Sequence, residues 1–269
     1  MTDVLFERDG DLYVPTAATG SPWHPNMLHG GAVSGLFGHG VQTAMRDAVD
    51  FQLGRLTMDL LRPVPRTPLR LETALRRDGG RLKVLQLELF SGTTLVAMAS
   101  AVMQRRQSVR LPAHAPAQAA APAAPETLPK SSVQAVLDAK GQNIPRGLHS
   151  LIELRSVTPW DESGQGVSWL FLPVTVVAGE PMTPLVRAAL ISDLSNGVAQ
   201  LNLGNATGTI NADINLGLFR YPVSEWLAID ARTQLQDTGL GLVQGTLFDT
   251  EGAFGHVTQV VQAYGEFTG

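Results

Sequence analysis

Apolar residues recur every three or four positions from Ala32 onward: Ala32, Val33, Leu36, Phe37, Val41, Ala44, Met45, Ala48 and Val49. That spacing predicts a helix. The period then changes. In "RLTMDLLRPV", Leu56, Met58 and Leu60 take every second place, the alternation of a strand with one buried face. "LRLETALRR", "RLKVLQLELFS" and "TLVAMASAVMQ" continue as strands, with Asp78-Gly79-Gly80 and Ser91-Gly92 as turn signals. "VLFERDGDLYVP" predicts earlier strands, ahead of the helix.

The same order of elements returns further along. Leu190, Ile191, Leu194, Val198 and Ala199 predict a second helix. "INLGLFRYP", "WLAIDARTQLQ", "GLVQGTLFD" and "FGHVTQVVQAY" predict strands after it, with a hairpin turn at Glu251-Gly252. "HSLIELRSV" and "GVSWLFLPV" predict strands before it. A single offset of 158 positions superimposes the two runs without a gap. Arg62 falls on Arg220, Gln86 on Gln244, Leu89-Phe90 on Leu247-Phe248 and Gln104 on Gln262. Within the helices, Ser34 falls on Ser192, Leu36 on Leu194 and Gln42 on Gln200. The chain therefore reads as two copies of one unit, each a long helix followed by an antiparallel meander, which is α+β in class. "LPAHAPAQAAAPAAPETLP" separates them. Its proline density favours extended chain, so the expected organisation is a unit at 1–110, a mobile linker at 111–130 and a unit at 131–269.

The first helix carries Gly30, Gly31, Gly35, Gly38 and Gly40, although an interior glycine costs a helix about 1 kcal/mol against alanine. A helix apolar nearly all round is buried nearly all round. Gly35 and Gly38 are expected to let the strands of a wrapping sheet approach its axis. Gly30 and Gly31 follow His29 at the expected helix start, where backbone N–H groups lack intrahelical partners. There a missing side chain lets a ligand oxygen approach free donors, and the helix terminus favours negative charge.

Composition narrows the chemistry. Of 269 residues 44% are hydrophobic and 16% charged, and the net charge is −4 with no Lys/Arg run longer than two. That surface does not suit nucleic acid. Cysteine is absent, which excludes disulfides and a thiolate nucleophile. The six His lack H-x-x-x-H spacing, so no metal is expected, and no nucleotide-binding glycine motif implies a cofactor. No signal peptide or apolar run of about 20 residues is evident. The expectation is a cytoplasmic protein that does not insert into membranes.

"LHGGAVSGLFGHGVQTA" with "DLLRPVP" resembles the first half of a double-hotdog acyl-CoA thioesterase of the acyl-CoA thioesterase II-like group. "PLVRAALISDLSNGVAQL", "INADINLGLFRYPVSEWLAIDART" and "GTLFDTEGAFGHVTQVV" resemble the second half. The resemblance implies a tandem hotdog, with a sheet wrapped around a central helix in each half and the two sheets side by side. It implies an acyl-CoA substrate, hydrolysed without a covalent intermediate by a water held between an Asp, a hydroxyl residue and a Gln. It also implies a homodimer or higher homo-oligomer.

Carried over residue by residue, the Asp is Asp193, a charged residue in an apolar helix. The Gln is Gln259, whose amide would donate to the water or the oxyanion, with Gln262 as the competitor if the strand register differs. The hydroxyl position holds Asn211 where the family often has Thr, with Thr209 as the alternative. Asn196, three residues after Asp193, would orient the carboxylate, touch substrate or cap the helix before Gly197. His29, with Gly30 and Gly31, would bind the acyl-CoA or fix the loop. Copy one has Gly35 in place of Asp193 and Ala101 in place of Gln259, while copy two has Arg187 in place of His29. One catalytic centre per chain follows, built mainly from copy two. A non-catalytic acyl-CoA or lipid binder is the second reading. An acyl-CoA hydratase is the third, disfavoured because His24 stands where a D-x-N-P-x-H signature needs Asp.

Overall fold

The computed structural model describes residues 3–141, 144–204 and 208–265. In the first half come β1 (Asp3–Asp9), β2 (Leu12–Pro15), α1 (Gly30–Ala44), β3 (Phe51–Asp59), β4 (Leu69–Asp78), β5 (Leu82–Ser91) and β6 (Thr94–Arg105). The second half opens with β7 (Ser131–Ser132), α2 (Val133–Ala139), β8 (Glu153–Ser156), β9 (Gln165–Phe171), β10 (Val174–Val177), α3 (Pro184–Ser192) and α4 (Ser195–Val198). It closes with β11 (Gly208–Asn211), β12 (Asp213–Leu218), β13 (Leu227–Leu235), β14 (Leu240–Asp249) and β15 (Gly252–Tyr264).

The strands form one sheet in the order β10-β1-β2-β4-β5-β6-β3-β12-β15-β14-β13-β9-β8-β7, with β11 also on β15. The halves do not merely abut. β3 pairs with β12 in antiparallel register, Leu56 opposite Leu216 and Met58 opposite Ile214, and all four side chains are buried. "GVSWLFLPV" also departs from a single second-half strand. It breaks after Phe171, and β10 crosses over to pair in parallel with β1, Val4 opposite Thr175. Val174, Val176 and Val177 are buried there, so the apolar run covers an edge of the first half's sheet that would otherwise be open.

The two central helices lie against each other, antiparallel. A Cβ on Gly38 would stand 2.7 Å from the Ala189 Cβ, and one on Gly35 would stand 3.0 Å from Val176 and 3.4 Å from Leu190. Gly38 therefore admits α3 rather than a strand, while Gly35 admits both α3 and β10, a strand of the first half's sheet. Gly40 faces strands only, with Leu71 and Leu87 2.7 and 2.8 Å from where its Cβ would be. The second helix is not continuous. Leu194 N–H bonds Ile191 O, three residues back, and this tight turn separates α3 from α4 at Asp193. α1 ends at Ala44, earlier than its apolar period, because the chain folds into turns with Ala48 N–H on Met45 O and Phe51 N–H on Ala48 O.

The Ala/Pro segment expected to be mobile is strapped to the second half over residues 119–128. Proline removes donors but leaves carbonyls, and those are what the sheet uses. Ala253 N–H bonds Ala119 O, Trp169 Nε1 bonds Ala123 O, and Arg155 Nη1 bonds the carbonyls of Pro125 and Leu128. Gly252, at φ +123°, has no room for a Cβ beside Ala119 O. Ala121 and Leu128 pack on a small cluster of Trp169, Ala228, Phe248 and Ala253. Among the described residues no helix is long and apolar enough to cross a membrane.

Candidate active site

Antiparallel packing brings the start of α1 against the end of α3. His29 holds the entry to α1, its N–H on Thr19 O at 2.8 Å, after Leu28 N–H has bonded Val64 O at 2.8 Å. Asp193 ends α3, and its side chain is 6% exposed. Its Oδ2 lies 2.9 Å from His29 Nδ1, and its Oδ1 accepts from Asn211 Nδ2 at 3.1 Å. A Cβ on Gly30 would collide with Oδ1 and stand 2.7 Å from the carboxyl carbon. The oxygen for which residue 30 leaves room is thus the protein's own. The first turn of α1 thus lies directly beside this carboxylate.

His29 Nδ1 faces two groups, Gly31 N–H at 3.0 Å and Asp193 Oδ2 at 2.9 Å. One nitrogen cannot accept from the first and donate to the second at once. With a proton on Nδ1 the ring pairs with Asp193, and without it the ring caps α1.

Gln259 is fully buried on β15 and Gln262 is exposed, so the register turns Gln259 inward. Its Nε2 donates to Ser192 O and Asp193 O, both at 3.1 Å. Those carbonyls are freed by the break in the helix, and the amide satisfies them. Both amide hydrogens are used, and the group left for a ligand is Oε1, which is buried without a partner. Gln259 is therefore placed to accept from a water rather than to donate to it.

Asn196 does not reach the carboxylate. Its Nδ2 donates to Thr209 O at 2.8 Å and its Oδ1 accepts from Thr209 Oγ1 at 2.7 Å. This closed pair ties β11 to α4, and it commits the Thr209 hydroxyl away from Asp193. Two residues along the strand, Asn211 faces the carboxylate instead. Arg187 is not at a helix start, because α3 begins one turn earlier with Thr183 as its cap. Arg187 pairs with Glu225 at 3.2 Å.

One residue of the site had no signal in the repeat. His149, in a 3-10 turn over Leu148–Leu151, stacks on His29 with ring centroids 6.0 Å apart and planes at 25°. It is 4% exposed, with the Pro145 carbonyl as the polar group beside its ring. Burial and then the charge of His29 push its pKa down to about 4, against the Pro145 carbonyl, so the ring is neutral at pH 7. Shifted by 158 positions, His149 falls before the first residue, so comparing the halves could not reveal it. Among the described residues no three His, Asp or Glu side chains converge as metal ligands. A cleft of about 390 Å³, lined by Met45, Phe51, Lys83 and Arg105 among others, opens at the other end of α1. A helix of 15 residues, about 22 Å, separates it from Asp193.

The model of the acyl-CoA thioesterase N-terminal domain matches residues 19–104, and that of the acyl-CoA thioesterase C-terminal domain matches residues 112–263. Among solved structures the chain is similar to the tesB protein of Mycobacterium avium subspecies paratuberculosis, with TM-score 0.65 and 19% identity over 97% of this chain and 96% of that one. It is similar to the acyl-CoA thioesterase II TesB2 of Mycobacterium marinum, with TM-score 0.63 and 18% identity over 96% and 94%. A hotdog-fold protein of unknown function from Alicyclobacillus acidocaldarius gives TM-score 0.68 and 14% identity over 97% and 96%. At these identities the structural likeness is one of fold. No curated protein matches the chain.

Proposed function

The chain belongs to the acyl-CoA thioesterase family, with its halves matching that family's N- and C-terminal domains, and from that premise we propose that Asp193 directs water onto the thioester of an acyl-CoA. The Asp193 carboxylate accepts a proton as the water oxygen attacks the carbonyl carbon. Asn211 and Gln259 Oε1 fix the water and the carboxylate. The oxyanion forms at the start of α1, where the Gly30 N–H, which has no intrahelical partner, can donate to it. Collapse of the tetrahedral species breaks the C–S bond, and the proton held by Asp193 passes to the CoA sulfur. No acyl-enzyme is involved.

The observation that carries this reading is the buried Asp193 carboxylate, wedged against Gly30 at a helix N-terminus and bonded by Asn211. Such a group is costly to bury, and its placement suits a general base. Thiol release from a panel of acyl-CoAs tests it. Asp193→Asn is expected to lose about 100-fold or more in kcat. Equal activity in the variant would move the chemistry elsewhere. Binding without turnover in the wild type would make the chain an acyl-CoA binder.

The two units are read as 1–110 and 131–269, with 111–130 between them. The exposed Leu242 and Val260, opposite each other across β14 and β15, suit association into a homo-oligomer.

A further inference from the structure

The cleft at the far end of α1 takes no part in the mechanism above. Met45, Ala48, Val49, Phe51 and Leu75 give it an apolar lining, and its volume of about 390 Å³ falls in the range of small-molecule sites. It lies where α1 stops and the chain turns into β3, with Val49 72% and Leu75 47% exposed. Lys83 and Arg105 stand over the Phe51 ring, the Lys83 Nζ 5.0 Å and the Arg105 guanidinium carbon 5.9 Å from its centroid. Their carboxylate partners, Asp78 and Asp50, are largely exposed, and exposed pairs are weak. Further cations border the cleft. Arg46 follows Met45, Arg77 lies opposite Val84 at the hairpin end, the Arg81 carbonyl accepts from Arg105 N–H, and Arg106 Nη2 bonds the Val49 carbonyl. These six cations stand with Asp47, Asp50 and Asp78, so this end is positive in a chain whose net charge is −4. The offset of 158 sets Thr209 on Phe51, Gly241 on Lys83 and Ala263 on Arg105. The ring and both cations are therefore particular to the first half, and the shared fold does not call for them.

We propose that this cleft binds an anionic amphiphile, with its apolar chain along Met45, Val49 and Leu75 and its charged head between Lys83 and Arg105. The lining calls for a chain rather than a sugar or a bare ion, because Val49 and Leu75 gain from being covered. The two cations call for an anion. A head group lodged there meets both at once beside an apolar floor, where attraction between charges is stronger than at the exposed Asp78 and Asp50. A carboxylate and a phosphate monoester share that chemistry. The length of α1 sets the cleft about 22 Å from Asp193, so a molecule bound here is not the thioester under attack, and binding here stands whether or not the chain is a thioesterase.

The probes are decanoate, decyl phosphate and decanol, each below its aggregation concentration, titrated into the full chain. The readout is the dissociation constant taken from the backbone amide resonances of Val49, Phe51 and Leu75. Shifts at Gly30 and Asp193 report the other end of α1 and are scored apart. Decanoate or decyl phosphate is expected to bind about tenfold tighter than decanol, the worth of one charge-assisted hydrogen bond, and whichever is tighter identifies the head group. Lys83→Gln with Arg105→Gln is expected to bring that ratio to about one and to leave decanol as it was. Ala44→Trp, at an exposed position on the rim, fills the cleft and is expected to weaken all three probes about tenfold or more. Unshifted resonances at the three positions, equal binding of decanol and both anions, a ratio that survives loss of both cations, or binding that Ala44→Trp leaves intact would each overturn the proposal. Light scattering on the free chain decides the rival occupant. A lower mass for Ala44→Trp than for wild type would mean that a second copy of the chain covers the cleft, and the proposal would fall.

Discussion

Each end of the α1–α3 pair sets the start of one helix against the end of the other, yet the two ends differ in chemistry. At one end, His29 and Gly30 open α1 and Asp193 closes α3. At the other, Thr183 caps α3 and its hydroxyl touches Gln42 of α1, while Arg187 turns to Glu225. The position equivalent to Asp193 is Gly35, buried against Val176 and Leu190. The position equivalent to Gln259 is Ala101, fully buried on β6. Duplicating a unit gives two candidate sites, and here the polar groups are concentrated at one of them. The bland end keeps the packing of the helix pair, and the other end accepts a buried carboxylate and a broken helix.

The same inequality appears outside the site, where the largest effect is expected. Arg220 holds Asp249 through Nη2–Oδ1 at 2.7 Å, and Asp249 also accepts from Val223 N–H and Glu251 N–H. Asp249 is fully buried. In the first half, the equivalents are an exposed Arg62 and Ser91. Asp249→Asn is expected to cost about 3–5 kcal/mol, because it leaves the Arg220 charge short of its partner. Ser91→Ala should stay within about 0.5 kcal/mol. Chemical denaturation of the two variants measures both. Burial pushes the Asp249 carboxyl up, but the bonds from Arg220 and the two amides outweigh it and hold its pKa below the usual range. Its contribution is therefore present above about pH 4 and is lost as pH falls through the lower folded value. The gap between wild type and variant should close in that acid range.

Gly30 and Gly38 test the two ends of the helix pair against each other. Gly30→Ala pushes a methyl into the Asp193 carboxylate, and a displacement of about 1 Å at a reacting group is worth about 100-fold in rate. Gly38→Ala overpacks α1 against Ala189 and should cost about 1–3 kcal/mol of stability. Steady-state kinetics and melting curves on both variants should therefore separate. The first loses mainly turnover and the second mainly stability. If both lost only stability, Gly30 would be another packing glycine.

The helix–meander grammar and the duplication were legible because period and order survive where identities do not. The placement of Asp193 and Gln259 was legible for the same reason: one is a charge in an apolar helix, and the other lies on a strand whose alternation, once paired, turns it inward. What Gln259 bonds was not legible, since that depends on the helix breaking at Asp193. The role of Asn196 was also hidden. Its spacing of three from Asp193 implies a shared helical face, but the break removes that face and leaves Asn196 on Thr209. The crossing of β10 into the first half was illegible because an apolar "VTVV" fits the edge of either half equally well. The strap at 119–128 shows the limit of composition. Proline density predicts extended chain correctly, but does not say what accepts its carbonyls.

The smallest effect concerns the two buried imidazoles, one in each half. His39, in α1, packs edge-on to Tyr13. Burial lowers its pKa, while the nearby Glu180 raises it and Arg8 and Arg46 lower it. His149 has His29 as its charged neighbour and only the Pro145 carbonyl in opposition, and it falls further, to about 4. An unfolded histidine titrates near pH 6.5. Below that the unfolded chain takes up a proton that the folded chain refuses, so stability falls as pH drops from about 6.5 toward 4. For His149 the loss between pH 7 and pH 5 is about 2 kcal/mol. His149→Phe should flatten that part of the stability curve, and His39→Phe should flatten it less. Urea unfolding at pH 7 and pH 5 on the three proteins decides it. Equal slopes for wild type and His149→Phe would mean that the second half's imidazole is reached by solvent and held no differently from the first half's.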